Sequence, residues 1–226
     1  MKEEFYKNIP LEERAETIID KLDFEFEEEL PELGNPFSTL VRTVLSQNTN
    51  RANTSRAYKN LRGEFQNPED FANADLEELK DRIKPAGLHN SKSKTLKKIG
   101  EIVEEKYDGQ LDKIFEKEKE EARDDLLKIS GVGPKTADCV LLFSGGLDVL
   151  PVDTHVHRTS IRLGLAERDD SHESVKEKVE SILPDEKLGK AHILLIELGR
   201  EYCKARNPKC ESCPVEKYCP RLGLED

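Results

Sequence analysis

Long apolar runs are missing from this chain. No stretch approaches the ~20 consecutive apolar residues that span a bilayer, and the N-terminal MKEEFYKNIP carries no apolar signal-peptide core. Membrane-spanning and secreted classes are set aside on those grounds, and a soluble, intracellular, cytoplasmic protein is the expectation. Sustained period-two alternation is also lacking, which speaks against any sheet-based fold. Neither a repeat of solenoid period nor a Pro/Ser-rich linker is present, so any two domains must be joined by short connections. Tryptophan is absent and methionine occurs once beside many Lys and Glu, a balance that leans toward thermophilic compositions. Cysteines number 5, and in an intracellular protein they argue against a disulfide framework.

What is abundant is charge. Charged residues make up 37% of the chain against 35% hydrophobic, with a formal net charge of -11. That total speaks against a polyanionic partner, but the distribution is uneven. Acids crowd into Glu25–Glu32, Glu116–Asp125 and Glu173–Glu186. Between Gly34 and Gly63 the charged residues are Arg42, Arg51, Arg56, Lys59 and Arg62, without an acid. Between Ile83 and Gly100 they are Lys84, Lys92, Lys94, Lys97 and Lys98, again without one. Two such stretches suit a face set aside for phosphates, or ordinary solvated helix faces, and composition alone slightly favours the second.

The apolar periodicity is helical nearly throughout and predicts an all-α fold. Helices are expected over 11–22 (after Pro10), 36–45, 53–61, 75–83, 91–107, 118–129, 135–143, 154–163, 171–183 and 188–202. Asp75 is the expected cap of the fourth, with Glu78 three residues on completing a capping box. The segment Pro85–Gly87 breaks the chain.

Three segments carry chemistry. The first is Gly131-Val-Gly133-Pro134-Lys135, which turns between two helices. Glycines expose main-chain N–H groups, Pro134 supplies a preset first helical residue, and a helix N-terminus seats phosphate. Lys135 then falls in a first turn, where the helix dipole disfavours a cation, the direction a nucleophilic amine needs. On position alone, a solvent- or phosphate-facing lysine on a helical hairpin is the better reading. The second is Val152-Asp153-Thr-His155-Val-His157, where Asp153 is placed to cap the following helix. An ionised carboxylate there can steady cationic charge on a substrate, or simply cap. His155 and His157 are not spaced for a shared metal on a helix face and read as polar contacts.

The third is Cys203-x6-Cys210-x2-Cys213-x5-Cys219, in a Pro-punctuated stretch after the last helix. Four thiolates converging there can hold Zn²⁺ or an iron–sulfur cluster, and zinc sites more often pair two Cys-x-x-Cys knuckles where this tail has one. Cys139 lies on an apolar helix face and reads as a core residue.

Taken together these segments resemble the endonuclease III family of helix–hairpin–helix DNA glycosylases. The matching text is Leu45-Ser-Gln-Asn-Thr49, Gly87-Leu-His-Asn-Ser-Lys92, Gly131-Val-Gly-Pro-Lys-Thr-Ala137, Val152-Asp-Thr-His155 and the Cys203–Cys219 spacing, in family order over most of the chain. The resemblance implies a two-lobed fold, with a six-helix barrel over 28–147 and an iron–sulfur cluster domain built from 1–27 and 148–226. It implies a [4Fe-4S] cluster on Cys203, Cys210, Cys213 and Cys219, with no part in base removal. Lys135 falls on the family's nucleophile and Asp153 on its catalytic carboxylate. Gln47 falls on the residue that fills the gap left by a flipped nucleotide, and Leu88 on the wedge in the opposing strand. Gly131, Gly133, Lys92 and His155 are further expected DNA contacts.

The implied activity is excision of oxidised pyrimidines from double-stranded DNA by a monomeric, nucleoid-associated enzyme that also cuts abasic sites. The alternatives are a mismatch glycosylase, an oxoguanine glycosylase, and a non-catalytic DNA-binding protein with structural zinc. Asn50 stands where the family often has Asp, and Asp138 where it often has Asn. Asp138, one turn from Lys135, is close enough to pair with it and hold it charged.

Overall fold

The structure, a computed structural model, describes residues 5–224. Among them no strand occurs. The α-helices are α1 (Leu11–Phe26), α2 (Pro36–Ser46), α3 (Arg51–Leu61), α4 (Pro68–Ala72), α5 (Leu76–Ile83), α6 (His89–Tyr107), α7 (Lys119–Leu127), α8 (Pro134–Gly145), α9 (Thr154–Arg162), α10 (His172–Ile182) and α11 (Asp185–Glu201). Short 3-10 turns link several of them, including Lys84–Ala86 and Leu111–Glu116. The all-α expectation therefore holds. No helix among the described residues is long and apolar enough to cross a membrane.

The chain separates into two compact units. One is the continuous stretch Glu32–Leu147, and the other combines Met1–Pro31 with Asp148–Asp226. In the discontinuous unit, Ala15, Ile18, Ile19 and Leu22 recur at helical spacing on α1 and are all buried. They share a core with Leu194, Leu195 and Leu198 of α11, Val156 of α9, and Val175 and Val179 of α10. Side chains of this size stabilise by about 1.5–3 kcal/mol each when fully buried, which ties α1 to helices far along the chain. In the continuous unit, Leu96, Ile99 and Val103 of α6 are buried, as are Phe71 of α4 and Leu79 and Ile83 of α5. Helix α4 lies so near α6 that a Cβ on Gly100 would come within 2.7 Å of the Pro68 carbonyl oxygen and the Ala72 nitrogen.

Two local expectations are corrected. Asp75 does cap α5, Oδ1 accepting from the backbone N–H groups of Glu77 and Glu78. Glu78 turns to Arg82 (3.1 and 2.8 Å), so its side chain serves an ion pair where a capping box was expected. A capping box does form at α4, where Asn67 Oδ1 accepts from Asp70 N–H and Asp70 Oδ2 from Asn67 N–H. That helix was not expected, since five residues are too short to show a period. Pro10 stands just outside α1 as its N-cap.

Candidate functional site

The hairpin between α7 and α8 is built by local turn chemistry. Gly131 has φ +90°, and a Cβ there would sit 2.4 Å from Thr95 Cγ2 on α6, so both conformation and space require glycine. Gly133 caps α8, its carbonyl accepting from Thr136 and Ala137 N–H, and Pro134 is the first helical residue. Gly131 and Gly133 are exposed, and no acid lies in the first turn of α8. Lys135 is half-buried in that turn.

Asp138, one turn on, is buried and held in a two-pronged pair by Arg123 of α7: Nε donates to Oδ1 at 2.6 Å and Nη2 to Oδ2 at 3.2 Å. Asp138, close enough in sequence to pair with Lys135, instead makes an α7–α8 ion pair with Arg123, which a planar guanidinium makes better than an ammonium.

Two exposed turns lie in the same unit. Gln47 follows the last residue of α2, is exposed, and precedes Asn48 with φ 52°. Leu88 caps α6 with φ 47° and is 56% exposed, an apolar side chain on strained backbone in the open. Asn50 caps α3 by accepting from Asn53 N–H, a role that Asp would fill as well.

Lys92 is a correction. It was expected to contact DNA, but it is 3% exposed, and its Nζ donates to the carbonyls of Leu45 (2.8 Å), Gln47 (2.7 Å) and Ala86 (2.8 Å). Burial pulls its pKa down. The surrounding basic run is also partly committed within the protein: Lys97 donates to Ala74 O, Lys84 pairs with Asp81 and Lys98 with Glu101. These ties agree with the solvated-face reading that composition slightly favoured.

In the discontinuous unit, Asp153 caps α9. Its Oδ1 accepts from His155 N–H (2.8 Å) and Val156 N–H (2.9 Å), and the residue is half-buried. Buried His192 bonds Pro151 O at 2.7 Å and so fixes the approach to the cap. His155 Nδ1 lies 3.1 Å from Arg158 Nη2, and burial pushes its pKa below the usual imidazole value. His157 stacks on His172 with centroids 4.3 Å apart.

The cysteine tail has little regular structure of its own and is held through its carbonyls. Arg158 Nε donates to Cys203 O (3.0 Å), and Arg162 donates to Lys204 O (2.7 Å) and Ala205 O (3.3 Å). Buried Arg14 donates to Leu163 O (2.5 Å), Gly164 O (2.9 Å) and Tyr218 O (2.9 Å). These arginines carried no signal at the sequence level, because their partners are carbonyls distant along the chain.

Cys203, Cys210, Cys213 and Cys219 are all free thiols and line one pocket together. Burial pushes Cys213 up to about 11 and Cys219 up to about 12, so cluster binding must displace their protons. Among the described residues no three His, Cys, Asp or Glu are placed to hold a single metal ion. Four cysteine thiols brought to one pocket are a donor set that suits an iron–sulfur cluster.

Comparison with known proteins agrees with this chemistry. Residues 41–185 match the HhH-GPD superfamily of base excision DNA repair proteins, and residues 203–219 match the iron–sulfur binding domain of endonuclease III. The second match begins and ends on the outer two cysteines. Endonuclease III of Thermotoga maritima is 38% identical over 82% of this chain and 83% of its own length. That of Bacillus subtilis is 35% identical over 91% of each. A solved non-covalent endonuclease III–DNA complex superposes with a TM-score of 0.83 at 33% identity, covering 94% of this chain and 97% of that one. The chain belongs to the endonuclease III family of the HhH-GPD superfamily, the iron–sulfur-binding DNA glycosylases and abasic-site lyases of base excision repair.

Proposed function

We propose that this enzyme is a bifunctional DNA glycosylase and abasic-site lyase that removes oxidised pyrimidines from duplex DNA, with Lys135 as nucleophile and Asp153 as the carboxylate at the reacting sugar. The observation that carries the reading is the first turn of α8. Lys135 follows the two-glycine hairpin, and the acid one turn away is held by Arg123. A solved relative, 32% identical with a TM-score of 0.83, is a trapped endonuclease III–DNA covalent intermediate, which supports an amine nucleophile.

The chemistry follows from the residues. The Lys135 amine attacks the sugar C1′ as the bond to the damaged base breaks, and the base leaves with the electron pair and takes up a proton. Loss of the amine proton and ring opening give a Schiff base. Removal of a C2′ proton then expels the 3′ phosphate by β-elimination. Asp153, held by two backbone N–H groups, steadies the cationic charge at C1′. The damaged nucleotide must leave the stack for C1′ to be reached. Gln47 fills the gap, Leu88 wedges the opposing strand, and the Gly131–Gly133 backbone holds phosphate without reading sequence. His155 is a further contact to the DNA backbone. Cys203, Cys210, Cys213 and Cys219 would hold a [4Fe-4S] cluster, which would order this segment and the DNA contacts it makes. The units 32–147 and 1–31 with 148–226 serve as the hairpin-bearing and cluster domains of a monomer.

Borohydride trapping across a panel of duplexes carrying single lesions tests this directly. Thymine glycol and other oxidised pyrimidines should give a covalent adduct and strand cleavage, whereas 8-oxoguanine and mismatched thymine should give little. Lys135→Gln should keep DNA binding and lose the adduct. Trapping that persists in Lys135→Gln would remove the role given to that lysine.

A further inference from the structure

We propose that Lys92 is a positioning residue for nucleotide extrusion: its buried ammonium ties the turn carrying Gln47 to the turn carrying Leu88, so the two side chains enter the duplex as one rigid element. This rests on the roles given above to Gln47 and Leu88.

The geometry is specific. An ammonium has three donors, and each of the three meets a carbonyl, of Leu45, Gln47 and Ala86, at 2.7–2.8 Å. Leu45 and Gln47 lie at the C-terminal end of α2, where carbonyls have no intrahelical partner and the dipole favours a cation. Ala86 closes the 3-10 turn two residues before Leu88. One amine thus grips the last turn of α2 and the entry to α6, segments some forty residues apart in sequence.

Just beyond each grip the backbone turns left-handed, at Asn48 (φ 52°) on one side and at Gly87 (φ 67°) and Leu88 (φ 47°) on the other. For Leu and Asn such conformations are sparsely populated and persist only where the surroundings over-determine them. The surroundings here are the Lys92 carbonyl set.

Stability alone does not account for the arrangement. Lys92 lies in the first turn of α6, where the dipole opposes a cation, and its charge is buried without a carboxylate among the three acceptors. A methionine would fill similar space without the desolvation cost, and buried charges are better attested as fixing geometry than as stabilising a fold. What an apolar residue cannot do is hold three carbonyls at once. The strapped turns present Leu88 in the open at 56% exposure, with Gln47 exposed on the other turn.

The test compares one abasic site in two settings: in fully paired duplex, where extrusion is required, and inside an unpaired bubble, where it is not. The readout is the ratio of single-turnover cleavage rates by the cluster-loaded enzyme. Lys92→Met should lower the duplex-to-bubble ratio about tenfold, equivalent to ~1.4 kcal/mol of lost extrusion energy. In a Gln47→Ala/Leu88→Ala background, Lys92→Met should change the ratio by less than about twofold, because residues acting through one another are not additive.

An equal fall on both substrates, no fall, or full additivity in that background would overturn the proposal. Should Lys92→Met fail to retain its visible cluster absorbance, the ratio is read on Lys92→Arg, which keeps the cation and should show a smaller fall of the same kind. The Gln47→Ala/Leu88→Ala enzyme alone separates the two levels. If its ratio matches the wild type, the wedge reading fails. If its ratio falls and that of the Lys92 variant does not, only the strap fails.

Discussion

Lys92 in the continuous unit and Arg14 in the discontinuous one are the same device put to different ends. Each is a buried cation with no carboxylate among its hydrogen-bond acceptors, and each donates to three backbone carbonyls from segments that are distant in sequence. Arg14 joins α1 to the Leu163–Gly164 turn and to Tyr218, next to Cys219, and so braces the metal-binding tail. Lys92 joins two turns that carry exposed residues or residues of positive φ, the surface proposed above to enter DNA. The same carbonyl-on-cation arrangement braces the cysteine tail in one unit and two turns of positive φ in the other. Irregular backbone without helical or sheet partners needs such donors, since a buried carbonyl left unpaired costs about 1–3 kcal/mol.

A third buried pair gives the comparison its upper bound. Arg123 faces a carboxylate, Asp138, whose side chain is 2% exposed. Removing it in Arg123→Met leaves a charge stranded in the interior and should cost about 3–5 kcal/mol by denaturant unfolding. Asp138→Asn in the same chain should recover a large part of that loss, because a neutral amide tolerates burial better. If the double variant were no more stable than Arg123→Met, the pair would be a packing contact and not an electrostatic one.

Arg14→Met comes next in size. Its carbonyls are neutral, so the loss should be smaller, about 2–3 kcal/mol, the range of hydrogen bonds from a charged donor. The visible cluster absorbance should decay faster on dilution into chelator, while the duplex-to-bubble ratio that reports on Lys92 stays at the wild-type value. A changed ratio in Arg14→Met would break the distinction between the two braces.

Much of this was legible in the sequence, and the reason is locality. The hairpin Gly131–Lys135, the Asp153 cap and the cysteine spacing are written within a few residues each, and helical periodicity marks the long helices. The braces were not legible, because a lysine or arginine reads as a surface charge until its stem is known to fold inward. Lys92 was expected to contact DNA from the resemblance, and nothing local to it in sequence shows the three carbonyls it meets. Asp138 was weighed against its neighbour Lys135, whereas its partner is Arg123, back across the hairpin. Helix α4 was missed although its Asn67-Pro68 start and Asp70 were in plain view, because period outweighed capping in a segment too short to show one.

The smallest expected effect belongs to a network on the surface. Asp170 accepts from Lys178, the Glu167 backbone N–H and the Ser174 hydroxyl, and its carboxyl is held down to about 2, chiefly by Lys178. A carboxylate whose folded-state value lies below its unfolded one stabilises fully above the ordinary carboxylate range. That contribution fades as pH falls through about 4 toward 2. Lys178 is partly exposed, so solvent and salt screen the pair. Asp170→Asn should therefore lower Tm slightly at neutral pH, less so in high salt, and the difference from wild type should close on approaching pH 2. The losses in Arg14→Met and Arg123→Met should change little with salt, because those partners lie where counterions do not reach. If salt moved all three alike, burial would not be what separates the braces from the surface pairs.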